Sequence, residues 1–282
     1  MLALDITPTE LQSGQMTPDH LNAAVQAIRS DGFVVLNDVI DPAHITALRA
    51  RMLEDLERLL ARTDTPFNWN RTNVQQDPPP FPPYLFKDVL LNEMAIAVTR
   101  AVLGAGLKNT YYSGNTALPG DFKQPVHPDM AQLWPNLTTA PPPHALIVNV
   151  PVVDMSAENG STELWPGTHL DTRMITQRGE IEVPLEWVEA RRAEVPPIQP
   201  TVRSGGILIR DGRLWHRGMP NHTDAPRPMI AMIHVISWWS QSPIRFPKET
   251  EGFFEHPDLA TNAVFVDEVD HVQHHKAYKF EG

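Results

Sequence analysis

The chain has 282 residues, of which 41% are hydrophobic, so it can bury a full core and is not disordered as a whole. Its formal net charge of −11 excludes nucleic acid as an expected partner, because an acidic surface repels phosphate. It contains no cysteine, which excludes disulfides and thiolate metal sites and leaves His, Asp or Glu as ligands for any metal.

The first residues, MLALDITPTE, lack the basic and apolar regions of a signal peptide, and no apolar run reaches the length of a membrane span. We therefore expect a cytoplasmic protein with no membrane partner. The part from 1 to 105 is predicted to be rich in helices. Thr17-Pro18-Asp19 has the capping pattern of a helix that ends near Arg29, and the apolar run 33–36 predicts a buried strand.

A second helix is predicted to start at Asp41-Pro42, because its apolar residues recur with a helical period. Residues 63–84 are polar and rich in proline, which predicts a long loop and a candidate lid over a substrate. Helical spacing returns at 87–103, and Gly104 ends that helix.

From Gly106 onwards short apolar or alternating runs are separated by turn signals. They predict strands at 109–117, 145–153, 161–165, 206–210, 213–217 and 229–238. This pattern is typical of an all-β sandwich or barrel. We expect one domain over 1–282, with a β-core at 106–240 and a weakly patterned tail at 241–282. Residues 130–143 are a second candidate cover for a substrate.

Two segments of the β-core supply candidate metal ligands. In His127-Pro128-Asp129 the outer side chains point the same way if the chain is extended. His216 lies in the predicted strand 213–217, far enough along the chain to fold back over the first segment. Two imidazoles and one carboxylate form the ligand set of a non-haem iron(II) site with open positions. The alternatives are a surface turn for the first segment and a hydrogen-bonded core histidine for His216.

Arg227 stands just before the predicted strand 229–238. Its planar guanidinium suits a carboxylate, so it could hold a small dicarboxylate that also binds the metal. An exposed arginine at a strand end is the alternative, and by position alone Arg217 would serve equally well.

Together these segments resemble the phytanoyl-CoA dioxygenase family of iron(II)- and 2-oxoglutarate-dependent oxygenases. The similar segments are 31–37 (DGFVVLN), 127–129 (HPD), 159–169 (NGSTELWPGTH) and 216–218 (HRG) with Arg227, so the resemblance spans about residues 17–240. It implies a mainly β fold with flanking helices, namely a double-stranded β-helix (a jelly roll, or cupin-like barrel) with the N-terminal helices packed outside.

The resemblance also implies cofactors and a reaction. His127, Asp129 and His216 would bind Fe(II) as the catalytic metal ligands, and Arg227 would bind the distal carboxylate of 2-oxoglutarate. The reaction would couple decarboxylation of 2-oxoglutarate to oxidation of a C–H bond by O2, with release of succinate and CO2. The outcome would be hydroxylation, desaturation or ring formation. Halogenases similar to this family have a small residue in place of the carboxylate of Asp129, so halogenation is not expected.

Other residues are assigned by their position near these motifs. Candidate contacts of 2-oxoglutarate are Gln124, Asn149 and Thr162, for which structural hydrogen bonding is the alternative. Candidate substrate contacts are Phe122, Met130, Trp134 and Trp215, for which core packing is the alternative. If several of them line the pocket, we expect the substrate to be a small, largely apolar metabolite of secondary metabolism. An acyl-CoA hydroxylase of the same family is the alternative.

Histidines 271, 274 and 275 form a cluster in the tail, where a solvated polar segment is the expectation and metal binding is the alternative. Two further functions stay open. A metal-dependent isomerase or decarboxylase would use the same triad without Arg227, and a jelly roll that only binds a metabolite would need no iron. Oxygen uptake that depends on 2-oxoglutarate separates the first of these from an oxygenase. The oligomeric state is not readable from the sequence.

Overall fold

Residues 2–176, 179 and 181–279 are described by the structure, which is a computed structural model. Its helices are α1 Pro8–Ser13, α2 Pro18–Ser30, α3 Pro42–Leu60, α4 Lys87–Leu90, α5 Glu93–Leu103 and α6 Leu185–Glu194. Its strands are β1 Ala3–Asp5, β2 Phe33–Asn37, β3 Phe67–Asn68, β4 Asn70–Gln75, β5 Lys108–Ala117, β6 Ala145–Pro151, β7 Glu163–Leu164, β8 Ile207–Asp211, β9 His216–Arg217, β10 Arg227–Val235, β11 Ile244–Pro247, β12 Ala260–Thr261 and β13 Ala263–Val266.

The large sheet has the order β1-β2-β8-β6-β10-β5-β4-β3, and β12 pairs with the start of β5. Its central strands are antiparallel, and all seven residues of β6 are buried. A smaller sheet of β7 and β9 is extended by single bridges from Leu164 to Ile198 and from His216 to His127. The two sheets are the two layers of the predicted jelly roll, and the space between them holds the candidate site.

The N-terminal helices cover the outer face of the large sheet, as predicted. The α2 helix begins at Thr17, whose side chain accepts a hydrogen bond from the backbone of His20, and Pro18 occupies the first turn. In α3, Leu48 and Met52 are fully buried. They belong to the same apolar cluster as sheet residues of β6, β8 and β10. Burial of the apolar helix faces therefore stabilises the contact between the helices and the large sheet.

Three predicted elements differ from the structure. The helix expected at 87–103 is interrupted, because Asn92 caps α5 by accepting from the backbone of Ala95 and also donates to the carbonyl of Val39. The strands expected at 161–165 and 213–217 are reduced to the two-residue strands β7 and β9. Helix α6 lies within a stretch that was expected to contain strands alone, and it buries a single residue, Val188, so its apolar periodicity is weak.

The loop expected at 63–84 contains β3 and β4, which form one edge of the large sheet. The prediction of an irregular lid is therefore wrong for residues 67–75. Strand β4 escapes detection because it reads Asn-Arg-Thr-Asn-Val-Gln, a polar sequence without apolar alternation. Its paired position places these polar side chains in the wall of the site instead of over its opening.

The tail folds onto the large sheet. Arg62 donates through Nη1 to the carbonyl of Val272 (2.5 Å) and through Nη2 to that of His275 (3.0 Å). His271 is buried and its Nε2 lies 2.8 Å from a carboxylate oxygen of Asp55. The expectation of a solvated tail is therefore wrong for His271 and Val272, which are buried. Within the residues that the structure describes, every helix is too short or too polar to cross a lipid bilayer.

Candidate active site

A reciprocal pair of backbone hydrogen bonds brings the two predicted metal-binding segments together. The amide of His127 donates to the carbonyl of His216, and the amide of His216 donates to the carbonyl of His127, both at 2.9 Å. Directly opposed residues of antiparallel strands place their side chains on the same face. The imidazole centroids are consequently 4.5 Å apart.

Both imidazoles present the same nitrogen to the cavity. Nδ1 of His127 lies 2.8 Å from the carbonyl of Pro125, and Nδ1 of His216 lies 3.0 Å from the carbonyl of Leu214. Because a carbonyl oxygen only accepts, each Nδ1 carries the proton and each Nε2 keeps its lone pair. Burial lowers the pKa of His127 to about 3, which keeps it in the neutral form that metals bind.

Asp129 completes this inner cluster, which we define as His127, Asp129 and His216. One donor atom from each residue lies within 4.8 Å of the others, and Oδ1 of Asp129 is 3.5 Å from Nε2 of His216. The second carboxylate oxygen accepts from Nη2 of Arg210 at 2.5 Å. Burial alone would raise the pKa of Asp129, but the adjacent guanidinium of Arg210 holds it well below its usual range, so the carboxylate is ionised.

Arg227 is buried without a carboxylate. Its Nη2 donates to the carbonyl of Gly160 at 2.8 Å and its Nε to that of Asn159 at 3.3 Å. Within the described part of the chain, its buried Nη1 has no hydrogen-bond partner. Burial lowers the pKa of Arg227 to about 10, so it is still cationic at neutral pH. A buried guanidinium with a free donor is a strong site for an anionic ligand.

The turn at 159–160 explains part of the similar segment at 159–169. Gly160 has φ +74°, and a Cβ at this position would lie 2.5 Å from the carbonyl oxygen of Met219. Glycine is therefore required for the chain to pass so close to the segment after β9. The turn thereby places the carbonyl groups of Asn159 and Gly160 where they accept hydrogen bonds from Arg227.

One cavity of about 340 Å³ contains the inner cluster and Arg227. Its wall also includes five other predicted residues, namely Gln124, Asn149, Thr162, Phe122 and Met130. The structure does not bring Trp134 or Trp215 to it. Trp134 is half exposed beside a different depression, and Trp215 is packed in the core with Val126 and Trp165. Side chains alternate along β9 and its approach, so His216 faces the cavity while Trp215 faces the core.

The predicted amides have partial hydrogen bonding. Oε1 of Gln124 accepts from the backbone of Gly218 at 2.7 Å. Oδ1 of Asn149 accepts from Nε of Arg210 at 3.2 Å, while its buried Nδ2 has no partner among the described residues. Each amide thus has a structural bond, and Asn149 also keeps a donor for a ligand in the cavity.

Sequence reasoning missed Arg210 and a group of polar residues. Arg210 ends the run Gly-Gly-Ile-Leu-Ile-Arg, and a charged residue on a buried strand was the available signal, because burial requires a partner. The polar group, which we call the amide wall, consists of Asn68, Asn70, Asn73, Gln75, Asn115 and Gln241. Strand pairing assembles it, since Asn115 of β5 is the partner of Gln75 in β4.

The donor set fits a divalent metal together with a dicarboxylate. Two neutral imidazoles and one ionised carboxylate match a non-haem iron site, and thiolate ligands are excluded because the chain has no cysteine. The unpaired Nη1 of Arg227 lies in the wall of the same cavity and matches the free end of a metal-bound dicarboxylate.

Comparisons with known proteins agree with this fold. A sequence profile of the phytanoyl-CoA dioxygenase (PhyH) family matches residues 28–229. Dioxygenase af480 from Aspergillus fumigatus is 26% identical over 206 residues, which are 70% of this chain and 60% of that protein. The matched region thus spans less than two thirds of that relative's length.

Two solved structures have the same fold. AviO1 from Streptomyces viridochromogenes Tue57 has a TM-score of 0.58 and 22% identity, over 79% of this chain and 97% of that one. The non-heme alpha ketoglutarate dependent carbocyclase SnoK from nogalamycin biosynthesis has a TM-score of 0.56 and 22% identity, over 78% of this chain and 84% of that one. At these identities the likeness concerns the fold, and the predicted jelly roll is confirmed.

Proposed function

Because this chain belongs to the phytanoyl-CoA dioxygenase family, we propose that it is an iron(II)- and 2-oxoglutarate-dependent oxygenase that oxidises a C–H bond of a small, uncharged metabolite. The observation that supports this most is Arg227, a buried cation with an unpaired Nη1 in the wall of the cavity that holds the inner cluster. A metal-dependent isomerase would leave this guanidinium without a role. Secondary metabolism, a cytoplasmic location, one domain and the absence of nucleic-acid partners stay predictions.

The residues divide into three tasks. His127, Asp129 and His216 hold iron(II), and Arg227 holds the distal carboxylate of 2-oxoglutarate. When bound, iron(II) and 2-oxoglutarate supply dioxygen activation and oxidising power, with succinate and CO2 as products. Arg210 fixes the carboxylate of Asp129, so that one oxygen is directed at the metal position. The carbonyl groups of Pro125 and Leu214 fix both imidazole rings, and this preorganisation lowers the cost of metal binding.

The cavity supports an uncharged substrate. Among its described lining residues, Asp129, Arg210 and Arg227 are the charged ones, and all three have a task in the metal and cosubstrate site. Apolar surface comes from side chains such as Phe122, Met130 and Met229, whereas polar surface comes from the amide wall. This mixed lining favours a metabolite with both apolar surface and hydroxyl or carbonyl groups over a largely apolar one. It gives an acyl-CoA little support, because the phosphates would need further cations.

An anaerobic titration tests the cosubstrate site. Iron(II) and 2-oxoglutarate added to the protein should give a visible metal-to-ligand charge-transfer band. In Arg227→Ala the affinity for 2-oxoglutarate should fall about 100-fold, as expected when a charged hydrogen-bond pair is lost. The matched control is Arg203→Ala, since Arg203 is an exposed arginine paired with Asp38 at the surface.

Two results would contradict the proposal. One is unchanged affinity for 2-oxoglutarate in Arg227→Ala. The other is substrate turnover without oxygen and without 2-oxoglutarate. Succinate release, measured with a panel of neutral oxygenated metabolites, apolar metabolites and acyl-CoA thioesters, then identifies the substrate class.

A further inference from the structure

A second group of two imidazoles and one carboxylate lies outside the active-site cavity. It consists of Asp77, His274 and His275, which we call the outer cluster. One donor atom from each of the three lies within 4.8 Å of the others, as in the inner cluster. Nδ1 of His274 is 2.7 Å from Oδ2 of Asp77, and Nε2 of His275 is 2.6 Å from Oδ1.

The fold brings these residues together from distant parts of the chain. Asp77 follows β4 directly, while the two histidines belong to the tail. Arg62 fixes the tail through the carbonyls of Val272 and His275, and the backbone of Tyr278 pairs with Phe67 and Trp69. The histidines are thus held at Asp77 by contacts that are independent of the cluster.

The charges around the outer cluster favour a cation. Asp77 has a side chain that is 10% exposed, and within the described residues its ion-pair partners are these two histidines. An adjacent cavity of about 460 Å³ also includes Glu268 and Asp270, against a single arginine, Arg245. With neutral imidazoles the lining therefore has two net negative charges. Buried carboxylates are stable when a cation or a metal compensates them.

We propose that Asp77, His274 and His275 form a second metal site, which binds a divalent ion of the zinc type. Two imidazole nitrogens and a carboxylate oxygen are ligands that zinc accepts, and solvent from the adjacent cavity completes a tetrahedral set. Zinc replaces the hydrogen bonds from the imidazoles to Asp77, so each ring binds it as a neutral imidazole whose proton has moved, through solvent, to the other ring nitrogen. Neither the oxygenase activity nor iron at the inner cluster is required for this site.

The position of the site gives it a structural role. Ser113 of β5 lies 3.1 Å from Nε2 of His275, and its hydroxyl also accepts from Nε2 of Gln75 at 3.0 Å. Gln75 belongs to the amide wall, so the outer cluster lies directly behind that wall. Zinc here would join the tail to Asp77, the residue two positions after β4, and would thereby stabilise one side of the active-site cavity.

Zinc stoichiometry tests the proposal, with the full chain carrying no affinity tag. After zinc loading and gel filtration, we expect two zinc ions per chain, one in each cluster. His274→Gln/His275→Gln should retain one, and so should His127→Ala/His216→Ala. The combination of all four substitutions should retain none. His44→Ala is the matched control, because it removes another histidine–aspartate pair, His44 with Asp88, that lacks a second imidazole.

A milder variant tests whether a loss of zinc binding is caused by a folding defect. The side chain of His274 is 59% exposed, so His274→Gln alone should leave the circular dichroism spectrum unchanged. It should weaken the second zinc by about tenfold or more and remove its stabilising shift in melting temperature. A wild-type chain that retains one zinc ion would overturn the proposal and identify the outer cluster as an ion pair only. A second zinc ion that persists in His274→Gln/His275→Gln would overturn it as well.

Discussion

The inner and outer clusters contain the same three types of side chain, but the fold uses them differently. In the inner cluster each imidazole donates from Nδ1 to a backbone carbonyl, and Asp129 is oriented by Arg210. In the outer cluster the imidazoles are bonded to the carboxylate of the cluster itself. A metal finds its ligands free in the first case and must displace hydrogen bonds in the second. The hydrogen-bond partners outside the cluster, more than the identity of the ligands, therefore determine how far a site is preorganised for metal binding.

Removal of the inner carboxylate should produce the largest effect. Asp129→Ala takes away a charged ligand and leaves Arg210 buried without its anion. Loss of a residue that only orients a metal ligand typically costs about 10- to 100-fold in metal affinity, so loss of this ligand itself should lower iron affinity by about 10³-fold. Anaerobic iron(II) titration measures this, and zinc at the outer cluster should be unaffected. Equal losses at both clusters would show that they are not independent.

Arg210→Met should separate the orienting role of Arg210 from metal binding itself. The variant leaves the carboxylate of Asp129, whose side chain is 34% exposed, without its cation, so the metal-free protein should lose about 2 kcal/mol of unfolding free energy. Iron(II) restores a positive charge at the same carboxylate, and the loss should then be smaller. Urea unfolding with and without iron measures the two values. Identical losses in both conditions would contradict this orienting role.

Acid should weaken the attachment of the tail through Asp55. Burial alone would raise the pKa of Asp55, but hydrogen bonds from His271 and Arg51 outweigh it and lower the pKa to about 2 from an ordinary 3.8. A lowered folded-state pKa gives stability that is complete above about pH 4 and is lost as the pH falls towards 2. The contribution is on the order of 2 kcal/mol. The decrease in unfolding free energy from pH 6 to pH 2.5 should be smaller in Asp55→Asn than in the wild type.

Arg62→Met should have the smallest effect, confined to the outer cluster. It removes the two hydrogen bonds to the carbonyls of Val272 and His275 without changing a ligand. Each such bond contributes about 1 kcal/mol, so zinc affinity at the outer cluster should fall by at most about 30-fold. Calorimetric zinc titration in a His127→Ala/His216→Ala background measures it. Unchanged affinity would mean that the tail stays in place without Arg62.

The inner site could be predicted from the sequence because short local motifs contain its residues. The alternation of His127 and Asp129, the position of Arg227 and the NG turn at 159–160 are short motifs. The structure brings the first two to one cavity, and the turn orients Arg227. Arg210 was visible as a charge in an apolar strand but was not recognised. The assignment of Trp215 failed because alternation alone does not tell which face of a short strand meets the core.

The outer cluster could not be predicted in the same way. Asp77 and the histidines 274 and 275 are separated by most of the chain, and no periodic pattern connects them. Their contact depends on β4, a polar strand that reads as a loop, and on Arg62, which fixes the tail. Long-range pairing of polar segments leaves little trace in hydropathy, and so the amide wall was also missed.

Because of the reciprocal hydrogen bonds between His127 and His216, metal binding also depends on the register of the two segments. A slip by one residue along β9 would exchange the faces, so that Trp215 or Arg217 would replace His216 beside His127. A misaligned chain would therefore contain every ligand and still lack the site. Iron binds the fold with the correct register and not compact states with a shifted register, so it selectively stabilises the correct fold.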